Sequence, residues 1–441
     1  MARFDELRAQ YSEFVYRGYK IEYINDSCVI TYDFEIPGLA KFNPIWEFPV
    51  KREFNKDILD RMVFSLGMVE SISYYKCVCP KTVRILCGGL TDSQKEWWKK
   101  LYYNGLGEFM YINGIDIPME ELLEFECSEG TEEPIADENN YEGCLIPVGG
   151  GKDSVVSLEL LKGEKVATYH INYGSAIREV IDAYDAKEYD YYAKRTLDAN
   201  MLELNNQGYL NGHTPFSAIV AFSSIISALL SGKKYIVLSN ENSANETTVQ
   251  DSFVNHQYSK SYEFEEDFEW YVRTICDSDI HYFSLLRPLA EIQIAGLFSK
   301  SAAFHKIFRS CNVGSKKGIW CCDCPKCLFV YIILSPFISE ENLIGIFGEK
   351  LLDKHSLEED FKKLTGILED KPFECVGTRK EVMVSMKTFV ENGGKSYLTD
   401  KYKDIILKES TTLSDMMAGW NDENNLPSEY EELVKRSINF E

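Results

Sequence analysis

The sequence predicts an α/β protein: a doubly wound parallel sheet, preceded by a mixed α/β region and followed by a mostly helical one. Three observations predict it. Between Cys144 and Asn172 an apolar strand, a glycine run, a helix and a second strand follow one another. Strand-like and helical segments then alternate as far as Ser239, the pattern of parallel strands joined by crossovers. From about Glu340 the chain becomes mostly helical and acidic.

The 441 residues are enough for two or three domains at roughly 100–200 residues each. With 45% apolar and 27% charged residues, the composition is globular and supports a sizeable core. The organisation expected is an N-terminal α/β region over 1–140, a central domain over 141–340 and a helical region over 341–441. The boundary signal is Glu126 to Asn140, acidic and poor in large apolar residues, which reads as a solvated connector.

Before the connector lie aromatic-rich segments at Ile45 to Val50 and Ser71 to Val78, and a helix around Ser93 to Tyr103 carrying Trp97 and Trp98. After it, Cys144 to Val148 is a short apolar strand. A helix follows over about Asp153 to Lys162, with Val155, Leu158 and Leu161 on one side and Gly163 as its stop. Lys165 to Asn172 is the second strand. Ala176 to Ala186 reads as helix, Tyr189 to Leu197 as strand, Phe216 to Ser231 as a buried helix and Lys234 to Ser239 as another strand. The last piece, Ser414 to Glu441, reads as an amphipathic helix or a docked tail. Sheets of this kind bind ligands at the carboxyl ends of their strands.

Charge narrows the function. Forty-seven basic against 70 acidic residues give a net charge of −23, so a large nucleic-acid footprint, which needs Lys and Arg, is not expected. The most apolar stretches, Phe216 to Leu230 and Leu328 to Ile338, are shorter than the ~20 residues that span a bilayer. The opening residues carry no apolar signal core. Thirteen cysteines in that setting are expected as reduced thiols in a cytosol, with metal or catalytic use for any cluster.

The run Pro147-Val-Gly-Gly-Gly-Lys-Asp-Ser154 sits between strand and helix. Glycines let backbone approach a phosphate, and the helix N-terminus attracts it. Lys152 adds a positive charge and Ser154 a donor hydroxyl. A Walker loop would need glycine where Ile146 stands, and Ser or Thr where Asp153 stands. A dinucleotide fingerprint would need glycine at Ser154 and an acid at the end of the second strand, which closes on Ile171-Asn172-Tyr173. The third motif is the Ser-Gly-Gly-x-Asp-Ser loop, which Gly150 to Ser154 matches, Gly149 replacing the first serine. On this loop the chain resembles the ATP pyrophosphatases, the PP-loop or adenine nucleotide alpha hydrolase-like superfamily. That resemblance implies ATP cleaved between its α- and β-phosphates with Mg²⁺. Gly149, Gly150, Gly151, Lys152, Asp153 and Ser154 would take the phosphates, and the adenine would lie near His170 and Asn172.

Cys311, Cys321, Cys324 and Cys327 form a second group. Two-residue spacers let successive thiolates reach one tetrahedral Zn²⁺, and the layout is similar to the zinc cluster of 7-cyano-7-deazaguanine synthase. A structural Zn²⁺ is expected; the alternative is a group of reduced thiols near a helix start.

Longer strings extend the resemblance: Gly105 to Tyr111, Ile146 to Leu161, Asn211 to Pro215, Ser239 to Glu246, Asn255 to Lys260, Cys324 to Val330 and Lys371 to Thr378. Over roughly residues 45–380 these resemble the MurL family of UDP-N-acetyl-α-D-muramoyl-L-alanyl-L-glutamate epimerases, which serve peptidoglycan synthesis. The resemblance implies an ATP-dependent isomerase that adenylates the glutamate α-carboxylate of a UDP-MurNAc-dipeptide. Loss of the carboxylate charge makes the α-hydrogen more acidic, which explains an ATP loop in an epimerase. Candidates for the proton transfers are Cys375, His256 and Lys260, the last two alternatively as phosphate ligands, each with an ordinary structural alternative. Glu241 or Glu246 would hold Mg²⁺ or the substrate amide. His213 would contact phosphate or substrate; its ordinary role is in a turn where Thr214 caps the following helix and Pro215 begins it. Arg178 and Arg195 are candidates for carboxylate or diphosphate contacts. The competing functions are another PP-loop adenylating enzyme, acting in amidation, nitrile formation or tRNA modification, and a nucleotide-binding regulator without turnover.

Overall fold

The computed structural model describes residues 2–130, 133–184, 189–245, 255, 257–314, 317–372 and 374–438. His256 and Glu246 lie outside them. Among the described residues no helix is long and apolar enough to cross a membrane.

One mixed sheet of eleven strands organises the chain. The strands are β1 (Glu13–Ile24), β2 (Ser27–Ile36), β3 (Ala40–Phe42), β4 (Ile45–Pro49), β5 (Thr82–Leu90), β6 (Glu124–Glu129), β7 (Cys144–Pro147), β8 (Val166–Ile171), β9 (Asp190–Thr196), β10 (Tyr235–Leu238) and β11 (His281–Ser284). Their order is β11-β10-β7-β8-β9-β4-β2-β1-β5-β6, with β3 paired to β2. The block β7 to β11 is wholly parallel, as the sequence predicts. Helices Lys152–Leu160 and Phe216–Ser231 form as expected. The second is buried along most of its length, packing on β4, on β7 to β10 and on helix Lys56–Tyr75. Its length of 16 residues and its buried serines, which turn back onto backbone carbonyls one turn earlier, explain why so apolar a run is a core helix.

Three features depart from expectation or extend it. The N-terminal strands join the parallel block: β4 pairs antiparallel with β9, setting Ile45 against Thr196 and Glu47 against Lys194. The segment read as a solvated connector begins as a strand, because Glu124 to Glu129 adds parallel to β5. Its remainder is pinned rather than free: Arg61 donates to the Glu133 carbonyl, and Asp277 accepts from the Ile135 amide at 2.9 Å. Thr214 is not a helix cap. Pro215 occupies that position, and the Thr214 hydroxyl accepts instead from the buried Lys76 ammonium at 2.7 Å.

The C-terminal residues form the docked tail. Helix Ser428–Ser437 buries Tyr430 and Val434, and the Tyr430 hydroxyl meets the Cys144 thiol at 3.2 Å behind β7.

Candidate active site

The parallel block runs β11-β10-β7-β8-β9, so the chain reverses its winding between β7 and β10. A crevice opens outside the carboxyl ends of strands at such a switch point. A cavity of about 330 Å³ lies there, lined by Pro147, Gly149 and Gly151 after β7 and by Leu238, Ser239 and Asn240 at the end of β10. Ser217 from the first turn of helix Phe216–Ser231 also faces it.

The loop after β7 needs its glycines unequally. Gly150 has φ +79°, in the left-handed region, and a Cβ there would stand 3.0 Å from Ala176. Its carbonyl accepts from the Arg309 amide at 2.8 Å, which ties the loop to the Arg309–Asn312 wall of the cavity. A Cβ at Gly149 would meet open space, so the residue that replaces the motif's serine is not demanded by the fold. Gly150→Ala is therefore expected to lose ~1–2 kcal/mol of stability, and Gly149→Ala to stay within about 0.5 kcal/mol. Urea unfolding of the two variants checks this.

Asp153 and Ser154 line the cavity at the start of helix Lys152–Leu160, and Ser154 donates back to the Gly151 carbonyl at 3.0 Å. Lys152 is almost wholly buried, and its ammonium is held between the carboxylates of Asp153 and Glu291. Two opposite charges keep the Lys152 ammonium protonated although burial opposes it. Burial raises the Glu291 carboxyl above the ordinary carboxylate range, with the Asp153 and Glu241 charges adding to the rise and Lys152 opposing it.

Two candidate proton carriers meet in the same cavity. Lys260 Nζ lies 3.3 Å from Cys375 Sγ, although 115 residues separate them. The charge of Cys375 is the main reason the Lys260 ammonium is held above its ordinary range. Sequence reasoning missed how they are placed. Arg287, fully buried, donates to the Lys260 carbonyl at 2.6 Å and to the Glu241 carbonyl at 2.9 Å, and pairs with Glu265 at 2.8 Å. It thereby fixes two candidate residues at once. Lys326 also lines the cavity and donates to the Cys375 carbonyl. The available signals were charged residues inside apolar runs (Arg287 and Glu291 among Phe283–Phe298) and a lysine between two cluster cysteines. Glu241, next to the lining residue Asn240 but not itself in the lining, is buried and accepts from Ser243 at 3.2 Å.

Other candidates lie apart from this cavity's lining. His170 is buried at the end of β8, between the Asp190 carboxylate (3.2 Å) and the Asn172 carbonyl (3.0 Å), with Tyr192 stacked on it. Asn172 adopts φ +55° and exchanges hydrogen bonds with the Arg195 backbone. His213 pairs with Glu108 at 3.4 Å, which joins the segments Gly105 to Tyr111 and Asn211 to Pro215. Arg195 forms a forked, buried pair with Glu70 and so has a structural partner. Arg178 lies over the Tyr173 ring.

The four cysteines converge. The Sγ atoms of Cys311, Cys321, Cys324 and Cys327 all lie within 4.8 Å of one another. Cys321 and Cys327 are 3.7 Å apart, close to the edge of a tetrahedron with Zn–S bonds of about 2.3 Å. Backbone amides of Gly314 and Cys321 point at Cys311 Sγ. Hydrogen bonding from Cys327 holds Cys324 down to about 5, as for a shared thiolate. Cys322 turns away and reaches the Phe347 carbonyl. The donor set and its spacing fit a tetrahedral ion.

The family described as the MurL N-terminal domain matches residues 5–285, and that described as the MurL C-terminal domain matches 304–409. A protein of Xanthomonas oryzae pv. oryzae named UDP-N-acetyl-alpha-D-muramoyl-L-alanyl-L-glutamate epimerase is 33% identical over 331 residues, 73% of this chain and 72% of its own. Proteins of the same name from a Micromonospora species and from Salinispora tropica are each 31% identical, covering 86% of this chain and 87% and 85% of theirs. No solved structure matches. Both family segments and all three relatives lead to one assignment: the chain belongs to the MurL family, whose relatives named here are epimerases and therefore isomerases.

Proposed function

We propose that this enzyme inverts the terminal L-glutamate of UDP-N-acetylmuramoyl-L-alanyl-L-glutamate through an acyl-adenylate, in peptidoglycan precursor synthesis. The observation that carries this reading is the shared cavity: a phosphate-type glycine loop and the Lys260–Cys375 pair open into one space. A glutamate α-carboxylate oxygen attacks the α-phosphorus of ATP, the α–β anhydride breaks and pyrophosphate leaves. The charge on the carboxylate is gone, and each pKa unit gained at the α-carbon is ~1.36 kcal/mol. An ammonium at hydrogen-bond range favours a thiolate, so Cys375 takes the α-proton and Lys260 stabilises the charge. A proton drawn from solvent water is returned to the opposite face. Cys375 and Lys260, 3.3 Å apart, are too close together to serve opposite faces of one carbon, so the pair acts as a single unit. Water attacks the acyl carbon and releases AMP with the D-glutamyl peptide.

Asp153 and Glu241 are the acids that would hold Mg²⁺, which supplies charge neutralisation for the departing pyrophosphate. The four thiolates would hold one Zn²⁺ in a folding role. Elemental analysis should find one zinc per chain, and Cys324→Ser should lower both zinc content and the melting temperature. Incubation of the substrate with ATP and Mg²⁺ in deuterated water tests the function. D-glutamate carrying α-deuterium, with AMP formed, is expected. Unchanged L-glutamate without deuterium would reject the epimerase reading.

A further inference from the structure

Three lysines approach the cavity, and their charges are differently committed. Lys152 is spent on Asp153 and Glu291. Lys260 is engaged by Cys375. Lys326 is 8% exposed, lines the cavity, and has no carboxylate partner among the described residues. Among the described residues its hydrogen bond goes to the neutral carbonyl of Cys375, and its ammonium stands 5.4 Å from the centre of the Phe329 ring. An ammonium has three N–H donors, and the described residues accept from one of them. Burying a cation with no carboxylate in ion-pair range is costly, and a bound anion would offset that cost. The lysine is also well anchored: it stands at the start of helix Pro325–Leu334, between Cys324 and Cys327, while Cys311 of the same cluster forms part of the cavity wall. Its charge is felt at Asp153, which lines the same cavity, and at Glu291.

We propose that Lys326 is the ligand-facing cation of this cavity, donating to the phosphate oxygens of the nucleotide, and that the thiol cluster holds it there. Lys152 instead organises Asp153 and Glu291 from behind. This rests on the nucleotide reading above and names the residue that meets the anion.

The test is calorimetric binding of inorganic pyrophosphate and of ATP to the full-length protein, with Lys326→Gln and Lys326→Arg beside it. Zinc content and melting temperature verify that each variant is folded with its cluster intact. A lost charge-assisted contact should weaken both ligands by about tenfold to a hundredfold in Lys326→Gln, while Lys326→Arg, which keeps the charge, stays within a few-fold. The unaltered protein should also lose affinity as salt is raised, with a steeper dependence than Lys326→Gln. Equal affinity and equal salt dependence in Lys326→Gln would overturn the assignment and leave the nucleotide reading standing. Failure of the unaltered protein to bind either ligand would instead remove the nucleotide reading, and the phosphate role of Lys326 with it.

Discussion

Lys152→Met should abolish AMP formation and lower stability by ~3–5 kcal/mol, the usual consequence of removing one partner from a buried ion pair. The reason lies in the surroundings. Glu291 is almost wholly buried and has Lys152 as its ion-pair partner, while Asp153 shares the same ammonium. Taking the cation away leaves two carboxylates close together in a medium that solvates them poorly. Either one takes up a proton or the helix starts move apart, and both outcomes spoil the loop that Gly150 and Arg309 hold closed. A compensating change separates stability from function. Lys152→Met combined with Glu291→Leu replaces the pair with apolar groups of similar size, which is often close to neutral. That double variant should regain most of the lost stability, measured by urea unfolding, and none of the AMP formation. Recovery of activity along with stability would mean that Lys152 matters only for folding.

Cys375→Ala should stop inversion while AMP still forms. The cysteine is reached by Lys260 at its sulfur and by Lys326 at its carbonyl, and three residues on, the Thr378–Glu381 capping box starts a helix, its Glu381 also accepting from the Ile292 amide beside Glu291. Removing a well-placed acid–base group costs about 10²–10⁴-fold in rate, so α-deuterium exchange should fall by that factor. The glycine loop stays as it was, so ATP should still be turned into AMP as the acyl-adenylate hydrolyses without inversion. Loss of AMP formation in a folded Cys375→Ala protein would place the cysteine in nucleotide binding instead.

The unequal legibility of the fold has physical causes. The strand–glycine–helix unit at Cys144 to Leu160 was readable because every signal in it is local: an apolar strand, glycines at a turn, one helical stripe. The long core helix was readable from length and apolarity alone. The union of the N-terminal strands with the parallel block was not, because the pairing of Ile45 with Thr196 is set by register between segments 151 residues apart. Thr214 was misread for a related reason. Locally it looks like a cap, but a buried Lys76 from a distant helix end takes its hydroxyl.

The site follows the same division. The glycine loop and the cysteine spacing are contiguous, and both stood out. Cys375 and Lys260 could each be singled out as reactive types, but their adjacency comes only from the return of the chain to the cavity at Cys375. Arg287, Glu291 and Lys326 were missed because each sits in a sequence setting dominated by another feature: apolar neighbours for the first two, zinc-ligand spacing for the third. Charged groups inside apolar runs are rarely fully buried unless paired, and that was the sign available for Arg287 and Glu291.

The most direct measurement follows one oxygen. With ¹⁸O placed in the glutamate α-carboxylate of the UDP-linked dipeptide, turnover with unlabelled ATP should yield AMP carrying one ¹⁸O atom, since the attacking carboxylate oxygen becomes the bridge and stays on phosphorus when water opens the acyl carbon. D-glutamate formed alongside AMP free of label would contradict activation by adenylation.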